Sequence, residues 1–174
     1  MNYMKKINLI LILIISFINL NAQNMNDSDK RLQIIENKIA IKNLVDTFSV
    51  LADVKDIKNQ VLLFTPNAIV QSERGGKITS EFKGREEIGK AFSNFLNLFE
   101  VVYHINGQQT VDLDGDKASG ISYCTVTLIG NENGKKMKTT MGVIYHDEYV
   151  WEKGSWLISK RQSNFTWTQK TEQI

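Results

Sequence analysis

From Thr139 to Thr168 the chain alternates side-chain character with a period of two, which commits it to a pair of long β-strands. Met141, Val143, Tyr145, Asp147, Tyr149 and Trp151 fall on one face, and Gly142, Ile144, His146, Glu148 and Val150 on the other. Lys153-Gly154 supplies the turn between the strands. Beyond it Trp156 and Ile158 share one face, while Leu157, Ser159 and Arg161 share the opposite one. At Tyr145 and Asp147 an apolar wall is interrupted by a phenol and a carboxylate. A pocket reads this way in sequence, and so does a structural ion pair.

Helices precede the strands. After a polar spacer (residues 23–30), in which Asp27 or Ser28 is expected to cap a long helix, Leu32, Ile35, Ile39, Ile41, Leu44, Val45, Phe48, Leu51 and Ala52 recur at three and four. They form one broad apolar face, predicted to pack on a sheet. The pattern breaks at Asp53-Val54-Lys55-Asp56, where Asp56 caps a short second helix that Thr65-Pro66-Asn67 stops. Ala68 to Gln71 reads as a short strand, and Ser72 to Lys83, around Gly75-Gly76, as a mobile hairpin or loop. A third helix is expected over residues 85–98. From Glu100 onward, strands at 101–112, 118–129, 138–151 and 156–167 are separated by Asp114-Gly115, Asn133-Gly134 and Lys153-Gly154, all hairpin signals. The expected class is α+β: three N-terminal helices on a strongly curved antiparallel sheet, one domain over residues 31–170.

Ahead of that domain, Lys5 and Lys6 precede an apolar run from Ile7 to Leu20, and Ala22 offers a small residue for cleavage. This is the layout of a secretory signal peptide over residues 1–22. The run is shorter than the ~20 residues that span a bilayer, so contact with membrane is expected only through this segment before cleavage. No cysteine lies near the cleavage point to carry a lipid. The expected location is exported, periplasmic or secreted. The whole chain has 21 Lys and Arg against 19 Asp and Glu, and removing Lys5 and Lys6 leaves the rest neutral. No basic surface remains for nucleic acid. With Cys124 as its single cysteine the chain forms no internal disulfide, and its core must hold the fold.

The pattern Tyr145-x-Asp147-x-Tyr149-Val150, followed by Gly154-x-Trp156-x-Ile158-x-x-Arg161, resembles the SnoaL-like group of the nuclear transport factor 2-like superfamily. So do the helix end "LADVKDI" with "LLFTPNAIV", the Gly84 to Ile88 start of the third helix, and His104-x-x-x-Gln108 with Asp114-Gly115-Asp116-x-Ala118. The resemblance covers nearly all of the chain after the signal segment. It implies a cone-shaped α+β barrel with a pocket at its open end, often paired as a homodimer through the sheet, and it implies general acid–base chemistry with His and Asp and no cofactor. Laid along the scytalone dehydratases of that group, the helix-end aspartate matches Asp53 and the first catalytic histidine His104. The second catalytic histidine falls on Cys124, a serine and asparagine pair falls on Tyr145 and Asp147, and the tyrosine before the family aspartate is Ala52.

The residues support the same chemistry. His104 is the side chain best able to move a proton near neutral pH, Asp53 or Asp147 is placed to orient it, and Tyr145 to polarise a carbonyl. His104, Asn106 and Gln108 share a strand face, and Gln108, Cys124 and Arg161 complete the expected ligand contacts. Other roles suit the same residues: Asp147 with Arg161 as a buried ion pair, Asp53 as a helix end, Cys124 as a small core residue. Three functions stay open: lyase or isomerase chemistry on a small apolar organic molecule, binding of such a molecule without turnover, and a dimeric assembly module.

Overall fold

Two-residue turns set the shape of the sheet. Asn133 and Gly134 both have positive φ (51° and 78°), as do Lys153 and Gly154 (52° and 85°), the geometry that matches a hairpin turn to the twist of its strands. They join β4 (Lys117–Glu132) to β5 (Lys135–Glu152) and β5 to β6 (Ser155–Glu172). With β3 (Val101–Asp114) these strands form the expected antiparallel meander. Of the two readings of Ser72 to Lys83, hairpin or loop, the structure shows the hairpin: β1 (Phe64–Arg74) and β2 (Lys77–Lys83) pair antiparallel and turn on Gly75-Gly76. β1 lies parallel to β6, so the six-stranded sheet is mixed rather than wholly antiparallel, in the order β2-β1-β6-β5-β4-β3.

The computed structural model describes the backbone of residues 2–173 and the side chains of residues 27–173. The cleavable segment expected over residues 1–22 rests on side chains outside the described residues. The helices are α1 (Asn2–Asp53), α2 (Ile57–Gln60), continued by a 3₁₀ turn over Val61–Leu63, and α3 (Gly84–Leu96). Asp56 caps α2 by accepting from the Asn59 amide, as its position predicts. The cap expected at Asp27 or Ser28 is not formed, because α1 continues through both.

The chain divides into two compact units, residues 1–39 and 40–174. The first is helical and shows Leu32, Ile35 and Ile39 to solvent. In the second, Ile41, Leu44, Val45, Phe48 and Ala52 are buried, and Ala40 is partly buried against the cluster that Ile41 belongs to. The second unit is α+β, helices packed against the sheet, as the resemblance implies. Inward-facing side chains form two core clusters. One gathers Ile41, Val45, Phe64, Ile88, Tyr149, Trp156 and Ile158. The other gathers Ala52, Leu96, Val126, Leu128, Met141, Val143 and Tyr145 and forms much of the wall of a cavity.

Candidate functional site

The end of α1 is fastened to β3 by polar contacts at helical spacing. Asp46, Ser49 and Asp53 stand at i, i+3 and i+7 on one helix face, and His104 and Asn106 at i and i+2 on one strand face. Ser49 Oγ donates to Asn106 Oδ1 at 3.1 Å, and Asn106 Nδ2 donates to Asp46 Oδ1 at 2.9 Å. One turn further along, the same docking sets Asp53 against His104. Asp53 Oδ1 lies 2.6 Å from His104 Nδ1, and Oδ2 accepts from the His104 backbone N–H at 3.3 Å. The histidine side chain is 7% exposed and the aspartate 23%.

Burial holds the His104 imidazole below its ordinary pKa of 6.5; Asp53 opposes this through its hydrogen bond and charge, and Arg161 adds to the lowering. The ring is therefore neutral near pH 7. The geometry assigns the Nδ1 proton to the Asp53 contact, which leaves Nε2 as a basic nitrogen with no protein hydrogen bond among the described residues.

The second polar group is built across β5 and β6. Arg161 Nε and Nη2 donate to Asp147 Oδ1 and Oδ2 at 2.8 and 2.6 Å, and Tyr149 Oη donates to Asp147 Oδ2 at 2.9 Å. This ion pair is fully enclosed, with the side chains of arginine and aspartate 1% and 0% exposed. The guanidinium lies 4.2 Å from the ring centres of both Phe48 and Tyr145. Burial works against its charge, yet Asp147 outweighs burial and the Arg161 pKa is raised.

Strict alternation puts Arg161 on the face opposite Trp156 and Ile158, which is incorrect. Tyr149 pairs with Ile158 and Glu148 with Lys160, so Ser159 is an extra residue, a β-bulge that turns Arg161 inward. A second irregularity lies in β3 between Asn106 and Gln109. It breaks the expected run of His104, Asn106 and Gln108: Gln108 is exposed, and Gln109 takes the partly buried place with its Nε2 enclosed. Gln108 is thus no part of the site.

His104, Tyr145 and Arg161 line a cavity of about 600 Å³, together with Phe48, Ala52 and Gln60 from the first helices, Phe92, Phe95 and Leu96 from α3, and Val126, Met141, Val143 and Phe165 from the sheet. Asp53 reaches the cavity only through His104. Asp147 sits behind Arg161 and off the wall, so the geometry gives it the buried ion-pair role. Cys124 is buried and does not line the cavity; burial pushes its thiol up to about 11. Burial likewise raises the Tyr145 phenol, which stays protonated as a hydrogen-bond donor. Gln60 is the lining residue that sequence reasoning misses. It sits inside the apolar pattern of a short helix, where only packing decides whether it is buried.

The family model for the SnoaL-like domain matches residues 33–162. The chain belongs to this family. It lies in the nuclear transport factor 2-like superfamily. No curated protein matches the sequence. Among solved structures the SnoaL-like domain is similar to a type 2 hexachlorocyclohexane dehydrochlorinase (LinA), at 19% identity and TM-score 0.72 over 82% of this chain and 94% of that one. It is also similar to a provisionally named scytalone dehydratase of Novosphingobium aromaticivorans, at 19% identity and TM-score 0.69 over 79% and 88%. The Kfla4162 protein of Kribbella flavida gives 15% identity and TM-score 0.70 over 78% and 95%. At these identities the likeness shows the fold.

Proposed function

We propose that this SnoaL-like domain is a cofactor-independent enzyme of the lyase or isomerase class, acting on a small organic molecule held in the cavity. The observation that carries the reading is the 2.6 Å pair of His104 and Asp53 with its ring at the wall of an apolar cavity. Asp53 is the positioning residue: it fixes the tautomer and stabilises the imidazolium that forms. His104 Nε2 takes a proton from carbon. The electron pair left behind either moves onto a neighbouring carbonyl oxygen, as in an isomerisation, or expels a leaving group from the adjacent carbon, as in an elimination. Tyr145 is the donor proposed to hold the oxygen or leaving group as charge develops, with the Arg161 guanidinium charge 4.2 Å from its ring centre. With its thiol at about 11, Cys124 makes no proton shuttle, so one histidine both takes and returns the proton.

The test is proton exchange from carbon. A panel of cyclic ketones and polyhalogenated cyclohexanes is incubated with the protein in D₂O and followed by NMR. The native protein should accelerate exchange or elimination for at least one member, and His104→Ala should lose about 10²–10⁴ of that rate. Equal rates for the two proteins would remove His104 from the chemistry. The second reading, ligand binding without turnover, is favoured by Cys124 standing where the scytalone dehydratases have a second histidine. Saturable binding to both proteins with no reaction in either selects it.

The same proposal places the domain outside the cytoplasm and pairs it with a second copy through the sheet. The run Ile7–Leu20 behind Lys5 and Lys6 supports export. Mass spectrometry of the protein from its natural source should find a chain beginning at Gln23, and an intact Met1 terminus would contradict export.

A further inference from the structure

Three side chains on one face of β1 lead out of the cavity. Val70, Ser72 and Arg74 stand at i, i+2 and i+4, all three line it, and they pass from buried through half-buried to exposed toward the Gly75-Gly76 turn. Arg74 therefore stands at the mouth, whereas the His104 side chain is 7% exposed and enclosed. The parallel register of β1 with β6 sets Val70 beside Arg161 and Ser72 beside Ser163, and two residues further on it brings Arg74 level with Phe165. The guanidinium carbon sits 4.3 Å from the centre of that ring.

Arg74 is thus held by an apolar surface and not by an acid. Among the described residues its side chain has no ion pair and no hydrogen bond. Its neighbour Glu73 takes the opposite face of β1, where Gln162 Nε2 donates to it. None of the described residues lining the cavity is an aspartate or glutamate. The acids behind the wall are already engaged, Asp147 by Arg161 and Asp53 by His104. Arg74 is then the one lining cation whose charge no protein group answers, and its fork of N–H donors matches a carboxylate. We infer that Arg74 is a specificity-determining residue, and that the cavity takes small organic acids whose apolar body enters toward His104 while a carboxylate stays at the mouth on Arg74. The reverse orientation is disfavoured: at the enclosed end a carboxylate would lose its water and approach Asp53. The inference rests on the reading that this cavity is the substrate site.

Binding tests this apart from catalysis. Three keto acids with arms of different length, 4-oxocyclohexanecarboxylate, 3-(2-oxocyclohexyl)propanoate and 5-oxo-5-phenylpentanoate, are each compared with their own primary amide by titration calorimetry at low ionic strength. The proteins are the native chain, Arg74→Gln and Arg74→Glu. Ion pairs open to water are weak, so the native protein should bind at least one acid about fivefold tighter than its amide, and added salt should shrink that advantage. Arg74→Gln should erase it and leave the amide's affinity within about twofold, and Arg74→Glu should invert it. Equal native affinities for every acid and its amide, a preference that survives Arg74→Gln, or no saturable binding by any compound overturns the inference. His104→Ala separates the two readings. Loss of exchange with the acid preference intact supports both, a preference in a native protein that exchanges nothing supports the role of Arg74 alone, and native exchange with no preference strikes only that role.

Discussion

A buried imidazole beside a carboxylate stays neutral only when burial outweighs the attraction, and at His104 it does. The folded protein therefore resists a proton that the unfolded chain accepts near 6.5. As pH falls below that value the unfolded state gains by protonation first, so the stability that neutral His104 contributes is full above 6.5 and is lost as pH falls toward the lower folded value. The slope for this one group is at most about 1.4 kcal/mol per pH unit. Chemical denaturation across this range should show the decline in the native protein and a shallower one in His104→Gln. The same neutral ring is the active form of the base. The acid limb of any exchange activity should therefore have its midpoint below 6.5, and a midpoint above 6.5 would contradict a burial-dominated His104.

Among the elements, the strands that position the site are the ones whose pairing is irregular. Alternation along β5 reads correctly for Tyr145, Asp147 and Tyr149, all buried, and for His146, which is exposed. It fails for Arg161 and Gln108, since a bulge shifts every later side chain to the other face and leaves no trace in hydropathy when the residues involved are polar. Asp53 and His104 were legible through the family resemblance, but the choice between Asp53 and Asp147 as the partner of His104 was not, because it depends on how the end of α1 docks on β3. Gln60 was not, because its burial depends on how α2 is packed. Gly142 shows another local constraint: a Cβ there would lie 2.0 Å from Trp167 Nε1, so the indole rests directly on the β5 backbone. Gly142→Ala should cost about 1–3 kcal/mol by overpacking. Most of that loss should disappear in a Trp167→Ala background, and an equal loss in both backgrounds would place the cost elsewhere than the indole.

For the whole molecule, the outer face of the sheet is the feature a lone domain does not account for. Val101, Tyr103 and Ile105 on β3 and Ile121 and Tyr123 on β4 are between 38% and 55% exposed, on the side opposite the buried Val102, Ser122, Cys124 and Val126. Contiguous apolar surface of this kind marks an interaction site. An antiparallel sheet face also suits a two-fold axis, which brings each strand against its own copy so that one patch serves both partners. The proposed homodimer predicts that sedimentation equilibrium finds twice the chain mass for the native protein and a single chain mass for Tyr123→Glu. Tyr123 points away from the cavity, so this variant should keep the ketone affinities of the native protein. A native protein that sediments as a single chain would leave the outer face to another partner, while a Tyr123→Glu dimer would move the interface off this face.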